Sequence, residues 1–322
     1  MDWSKGILKI SGFICVAGLF LFTAGCGDDS SNPDTDSGPE SSAGSADVGS
    51  SSAGADSTVP SVNSALFTFA TDPGALAVAP DEDGFYDMGD VYKAVPKTSK
   101  IAFVIRHSKR QKNTGTESQL TPIGVQMAQT LGAKLVSEEP FYYASTDFIR
   151  TRETCENIAA GRGETGASVV TWDDINGGYF LTVPSDTLDA LVSSRGGNPK
   201  YIAQYAYGVP YSNGAIAATI SSYFYDLFER GNQFVNEVVL ANMSSWKRVS
   251  ILVSHDMLIE PLVVFVSNRT INLKIYESPF RWVNYLSGIA VIVDEAGAVT
   301  VLPVRGDEVG WMIPRDEVDE GT

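Results

Sequence analysis

Ile101-Ala102-Phe103-Val104-Ile105-Arg106-His107 and Val249-Ser250-Ile251-Leu252-Val253-Ser254-His255 decide how this chain is read. Each opens as a short, mostly apolar run of the kind that forms a buried strand. Each closes on a histidine, and the 322 residues contain only two histidines. In open α/β sheets the ligand crevice lies at the carboxyl ends of the strands, so two strands ending in His would bring both imidazoles to one crevice. Two unrelated strand-end histidines with structural hydrogen bonds are the competing reading.

Outward from these runs, strand-like and helix-like patterns alternate. Thr121-Pro122 opens a helix, with Thr as N-cap and Pro at the first helical position. Ile123, Met127, Leu131 and Leu135 then recur every four residues along one face. Phe141–Ala144 reads as a strand, followed by a helix to about residue 160, and Val169–Trp172 as a further strand. Residues 184–245 carry helical patterns, broken at Gly196-Gly197 and between Gly208 and Gly214. Met257–Val266 reads as a helix. Ile289–Val293 and Ala298–Val304 flank Glu295-Ala296-Gly297, a hairpin signal. The alternation predicts an α/β fold, a three-layer sandwich whose mostly parallel sheet has helices on both faces. The stretch 184–245 is expected to form a helical insertion over the site.

The neighbours of the histidines favour phosphate chemistry. Arg106 precedes His107, Arg110 follows it by three, and Arg150 comes soon after the strand at 141–144. The planar guanidinium fork makes paired, charge-assisted hydrogen bonds to phosphate. A metal site built from His107, His255 and Asp256 is the rival. It lacks a third well-placed neutral ligand, and the flanking cations oppose a metal.

Arg106-His107-Ser108 resembles the Arg-His-Gly signature of the histidine phosphatase superfamily, which includes phosphoglycerate mutases and acid phosphatases. Leu120-Thr121-Pro122-Ile123-Gly124 is similar to that family's Leu-Thr-x-x-Gly helix start. Ser145-Thr146-Asp147-Phe148-Ile149-Arg150-Thr151-Arg152-Glu153-Thr154 resembles its Ser-x-Asp-Leu-x-Arg-Ala-x-x-Thr segment, and Ser254-His255 its second catalytic histidine. The motifs stand in the family's order over roughly residues 100 to 305. The resemblance implies that His107 is the nucleophile and that Arg106, Arg150 and His255 surround the phosphoryl oxygens, with no metal or other cofactor. A neutral imidazole is chemically suited to that role, since it can attack phosphorus to give a phosphohistidine. Arg110 fits the Arg-His-Gly-x-Arg pattern of the acid-phosphatase branch and is a substrate-binding candidate.

Two general acids stay open. The mutase-like branch uses a Glu shortly after the third strand, where Asp174 falls; the acid-phosphatase branch uses the Asp of a His-Asp pair, here Asp256. Asp256 is equally readable as a helix N-cap. Ser108 departs from the signature glycine; its hydroxyl could add a contact to phosphate, or it could mark a weakened enzyme.

The flanks carry an address. Lys5 and Lys9 precede an apolar run from Ile10 to Thr23, which ends in Ala24-Gly25-Cys26. This resembles a bacterial lipoprotein signal with Cys26 as the lipidated residue, although Thr23 stands where Leu is usual. An ordinary secretory signal or a single anchor helix is the alternative. Residues 27–62 are rich in Ser, Gly, Ala and Asp; Gly27 to Pro60 holds seven acids and no Lys or Arg. Such a stretch has too little apolar surface to pack, so it is expected to be a flexible tether before a domain at 63–322. Of three cysteines, only Cys155 falls in that domain, which therefore has no internal disulfide. A net charge of −16 speaks against nucleic acid as partner. The expected partners are a small phosphate ester and, through Cys26, a membrane of the bacterial envelope. The expected reaction is phosphate monoester hydrolysis outside the cytoplasm. A phosphoryl-transfer mutase and an inactive, phosphatase-like surface binding protein are the alternatives.

Overall fold

The computed structural model describes residues 66–212 and 214–313. The signal segment 1–26 with Cys26 and the tether at 27–62 lie outside the described residues.

The main sheet has seven strands: β1 (Tyr86–Asp87), β2 (Lys100–Arg106), β3 (Tyr142–Ser145), β4 (Val169–Thr171), β5 (Val249–Ser254), β7 (Gly288–Val293) and β8 (Val299–Arg305). Their spatial order is β1-β8-β7-β2-β5-β3-β4. β2, β5, β3 and β4 run parallel, β7 is antiparallel to both β2 and β8, and β1 lies parallel to β8. The β7–β8 pair is the hairpin expected around Gly297, which has φ +81°. A second, two-stranded antiparallel sheet pairs β6 (Trp282–Val283) with β9 (Trp311–Met312). β2 and β5 are apolar on both faces because helices cover both sides; Ile101 to Ile105 and Val249 to Ser254 are wholly buried.

Helices α2 (Pro122–Lys134) and α3 (Ile149–Gly161) pack on each other in one layer. Thr121 caps α2 as expected, its Oγ1 accepting from Gly124 N at 3.0 Å. The buried face of α2 differs from the expected stripe. It runs through Gly124, Ala128, Leu131 and Gly132, while Ile123 is 54% exposed. Small residues win because the partner backbone comes very close: a Cβ at Gly132 would meet the Ile158 carbonyl at 2.2 Å.

Helix α9 (Asp256–Val266) packs against β2, β7 and β8, and every residue from Leu258 to Val266 is buried. The insertion supplies α4 (Ser185–Val192), α5 (Gly197–Tyr207), α6 (Gly214–Ser222) and α7 (Leu227–Gln233). α7 runs on through a π-helical stretch, Phe234–Leu240, into α8 (Ala241–Met243). α5 and α7 both pack on α9, which explains why α9 is apolar all round. α5 ends at Gly208, φ +67°, as the glycine breaks predicted. No helix among the described residues is long and apolar enough to cross a membrane.

Glu260 interrupts this apolar layer. It is wholly buried on α9, and among the described residues neither carboxylate oxygen has a hydrogen-bond partner. Burial, and then the charge of Asp256 one turn earlier, push its pKa well above the usual carboxylate value. A carboxyl raised in the folded state stabilises fully below its unfolded pKa and loses that contribution as pH rises toward the folded one. Glu260→Gln, compared with wild type by thermal or denaturant melting, should therefore gain relative stability from about pH 4.5 upward, by at most about 1.4 kcal/mol per pH unit. A stability difference that stays constant with pH would contradict a protonated Glu260.

Candidate active site

Register builds the site. β2 and β5 pair in parallel with Arg106 opposite Ser254, so the next residue of each strand is a histidine. His107 N donates to Ser254 O at 2.9 Å, and the two imidazoles lie with ring centroids 5.5 Å apart. β3 pairs with the other edge of β5, Ser145 opposite Val253, which delivers Thr146 and the start of α3 to the same end. These residues open into a cavity of about 510 Å³ lined by Arg106, His107, Arg110, Phe148, Arg150, His255 and Asp256.

The hydrogen bonds fix both tautomers. His107 Nδ1 lies 2.8 Å from the Ser108 carbonyl, which only accepts, so Nδ1 carries the proton and Nε2 keeps its lone pair. His255 Nδ1 lies 3.3 Å from Arg150 Nη2, which only donates, so here Nε2 carries the proton. That proton goes to Thr146 Oγ1 at 3.0 Å, whose own hydroxyl reaches Thr151 Oγ1 at 2.9 Å. Thr151 in turn donates to the Phe148 carbonyl at 2.7 Å. The chain of donors holds His255 neutral and oriented.

Electrostatics point the same way. Burial pushes His107 well below the ordinary histidine value, and Arg106, His255 and Arg150 push it further. Burial, and then Arg150, push His255 down to about 3. Burial, and then Arg110, bring Arg150 down to about 10, so it remains charged at neutral pH. The cavity thus holds neutral imidazoles among cations, an arrangement suited to a nucleophile facing an anion. The acid side of the pH–rate profile is predicted from it. After correction for the substrate's own ionisation near pH 6, kcat/KM should show no enzyme group titrating down to about pH 5. An enzyme pKa near 6.5 in that profile would contradict the burial.

Arg106 is 1% exposed and anchors the floor. Its Nη1 donates to Val283 O at 2.6 Å, its Nη2 lies 3.3 Å from Asp256 Oδ2, and its guanidinium stacks 4.4 Å from the Tyr285 ring centre. Arg150 donates to Gly115 O at 3.0 Å and stacks over Phe148, while its buried Nε has no partner among the described residues. Arg110 lines the cavity and its Nη1 ties down the following loop through Gln111 O at 2.8 Å.

Two sequence expectations change here. Ser108 does not reach the cavity: its hydroxyl donates to Gly124 O at 2.7 Å, and its N–H to Thr154 Oγ1 at 3.0 Å. The serine therefore supports the loop where the family signature has glycine, and Gly124 lets the start of α2 approach that loop, since a Cβ there would meet the Lys109 carbonyl at 2.0 Å. Asp174 is exposed and does not line the cavity. It sits on a 3-10 turn, Asp173–Ile175, that buries Ile175 and hydrogen-bonds the Ile175 carbonyl to the Ser254 hydroxyl, leaving both aspartates outside. Tyr205 and Tyr211 of the insertion line a different cavity, and the Tyr207 hydroxyl bonds the backbone at Leu273 and Ile271. The insertion instead meets the site through Ser185, Asp186, Asp189 and Asn198.

Asp256 does line the cavity. Its Oδ1 accepts from Met257 N at 2.9 Å and its Oδ2 from Trp282 Nε1 at 3.1 Å. Although burial opposes ionisation, Arg106 and Trp282 win and hold the carboxyl below its usual value. Among the described residues no three or more His, Cys, Asp or Glu side chains group in a way that could hold a metal ion. Cys155 is buried and free, its Sγ 3.4 Å from the Ala144 carbonyl.

The sequence profile of the histidine phosphatase superfamily (branch 1) matches residues 102–272, more than half of the chain. The chain belongs to that superfamily, and the class makes it an enzyme of the phosphoryl-transfer type. No curated protein sequence matches it. Solved structures similar to it include a phosphoglycerate mutase from Bacillus anthracis at 18% identity, covering 65% of this chain and 94% of that one with a TM-score of 0.41. A mycobacterial glucosyl-3-phosphoglycerate phosphatase is similar at 13% identity, with 66% and 96% covered and a TM-score of 0.38. The protein histidine phosphatase SixA, complexed with tungstate, is similar at 14% identity, with 64% and 97% covered and a TM-score of 0.30.

Proposed function

We propose that this protein hydrolyses phosphate monoesters through a phosphohistidine on His107. The observation that carries the reading is the 2.8 Å contact of His107 Nδ1 with the Ser108 carbonyl, which assigns the proton to Nδ1 and leaves Nε2 as the nucleophilic nitrogen of a residue lining the same cavity as Arg106, Arg110 and Arg150. Nε2 attacks phosphorus, an N–P bond forms, and the P–O bond to the leaving group breaks. Arg106 and Arg150 stabilise the equatorial oxygens, and His255 positions Arg150 through its Nδ1. Water then attacks phosphorus, its proton passes to the Asp256 carboxylate, the N–P bond breaks, and His107 and inorganic phosphate are released.

The leaving alkoxide takes a proton from Asp256 rather than Asp174, because Asp256 is the one of the two that borders the cavity. Against burial, Arg106 holds the Asp256 carboxyl below its usual value. A bound phosphate offsets that cation and lets the carboxyl hold a proton. Asp256→Asn should slow an alkyl phosphate strongly and p-nitrophenyl phosphate little, since nitrophenolate leaves without protonation. Equal effects on both substrates, or a strong effect from Asp174→Asn instead, would overturn this assignment. Phosphate release from a substrate panel separates hydrolysis from the mutase reading, in which phosphate appears on another position of the substrate. Binding of phosphate with no turnover would point to an inactive binding protein.

The site of action is proposed to be the bacterial envelope, with lipid on Cys26 holding the domain by its tether. Cys26→Ser should shift the protein out of the detergent phase; unchanged partitioning would count against lipidation.

A further inference from the structure

Phe148 is out of place by two local rules. It is the N-cap of α3, where Ser, Thr, Asp or Asn is favoured, and it gives the helix no side-chain hydrogen bond. Its ring is half-buried yet lies outside the apolar core and borders the cavity instead. What the ring touches is the phosphate machinery. The Arg150 guanidinium carbon lies 4.2 Å from the ring centre, and the His255 ring meets it edge-on with centroids 4.5 Å apart. The backbone is tied in as well. Phe148 O accepts from Thr151 Oγ1 at 2.7 Å, at the end of the hydroxyl chain that starts from His255 Nε2. These contacts complete the restraint on a planar group. Within its plane the Arg150 guanidinium is held by Gly115 O on Nη1, at 3.0 Å, and by His255 Nδ1 on Nη2, at 3.3 Å. Hydrogen bonds tolerate a broad range of angles, so they leave the tilt of that plane soft. A ring face against one side fixes it. The restraint is needed, because Arg110 and Arg106 put like charge next to Arg150 and favour any movement that separates them.

We infer that Phe148 is a positioning residue for phosphoryl transfer and acts through Arg150. Its ring face and the His255 imidazole together clamp the guanidinium in the orientation that meets the phosphoryl oxygens. The inference rests on the phosphatase reading above and adds a residue to its machinery. Orientation of this kind carries a large share of catalysis, since a small misplacement of a charged donor weakens it where charge develops in the transition state. The clamp also gives His255 a task that fits its geometry: its proton points away to Thr146, and its lone pair holds the arginine.

The test is a mutant cycle read as kcat/KM on p-nitrophenyl phosphate and on propyl phosphate, with folding checked by melting temperature. Phe148→Leu keeps apolar bulk but loses the ring face. It should lower kcat/KM about tenfold, the scale of a desolvated cation–π contact, and by the same factor on both esters. Phe148→Tyr, which keeps the ring, should stay near wild type. In an Arg150→Met background Phe148→Leu should cost little more, because the group it aims is gone. Wild-type activity in Phe148→Leu overturns the inference, as does an equal loss in Phe148→Tyr. A loss that persists undiminished beside Arg150→Met overturns it too. A loss confined to p-nitrophenyl phosphate would make Phe148 a contact for the leaving group and not a clamp for Arg150. Each of these leaves the phosphatase reading standing. Failure of wild type to hydrolyse either ester overturns that reading and this inference with it.

Discussion

His107→Ala should lower kcat on p-nitrophenyl phosphate by on the order of 10⁴-fold or more, because removal of an essential nucleophile leaves only binding and electrostatic stabilisation. The same variant should still be protected by inorganic phosphate. Arg106, Arg110 and Arg150 line the cavity independently of the imidazole, and truncating His107 relieves them of no partner. Steady-state kinetics together with thermal shift in phosphate separate the two effects. Loss of phosphate binding alongside activity would mean that His107 builds the cavity rather than attacks from it. His255→Ala should cost less, since its Nε2 proton is spent on Thr146 and its role is to orient and stabilise.

Arg106→Met should cost both activity and stability. The guanidinium is 1% exposed and lies 3.3 Å from Asp256 Oδ2. Removing Arg106 leaves Asp256, 23% exposed, with only Trp282 Nε1 and Met257 N as partners, at about 1–3 kcal/mol. Stability should return largely in Arg106→Met/Asp256→Asn, where neither charge remains, while activity should not, because the phosphate still lacks its deepest arginine. Denaturant melts and kcat/KM of the single and double variants make the cycle. A double variant as unstable as the single one would show that Arg106 acts through Tyr285 and Val283 rather than through Asp256.

The parts of the site legible in the sequence are those fixed by strand register. Once the runs at 101–105 and 249–253 are adjacent and parallel, Arg106, His107 and His255 must converge, whatever the loops do. Arg150 followed because α3 begins directly after β3, itself paired with β5. Asp174 shows where this logic stops. Its distance from β4 was readable, but the direction of a loop side chain depends on what buries next to it, and here Ile175 takes the inward place. Asp186, Asp189, Trp282 and Tyr285 went unread for the opposite reason. They come from the insertion and from a segment after α9, and only tertiary packing brings them to the cavity or its floor. The α2 stripe holds at Met127, Leu131 and Leu135 and fails at Ile123, because hydrophobicity does not mark the glycines and alanine through which the rest of this face packs. Ser108 follows His107 directly, yet its hydroxyl turns away from the cavity to Gly124 O, a direction set by helix packing rather than by sequence position.

The most direct test of the central claim is a rapid-quench experiment with a phosphorus-labelled monoester, followed by peptide mapping. Wild type should trap label as a base-stable, acid-labile phosphohistidine on the peptide containing His107, at up to one phosphate per chain, and His107→Ala should trap none. Label on Asp256 or on any other residue, or full turnover by His107→Ala, would contradict the assignment of His107 as the nucleophile.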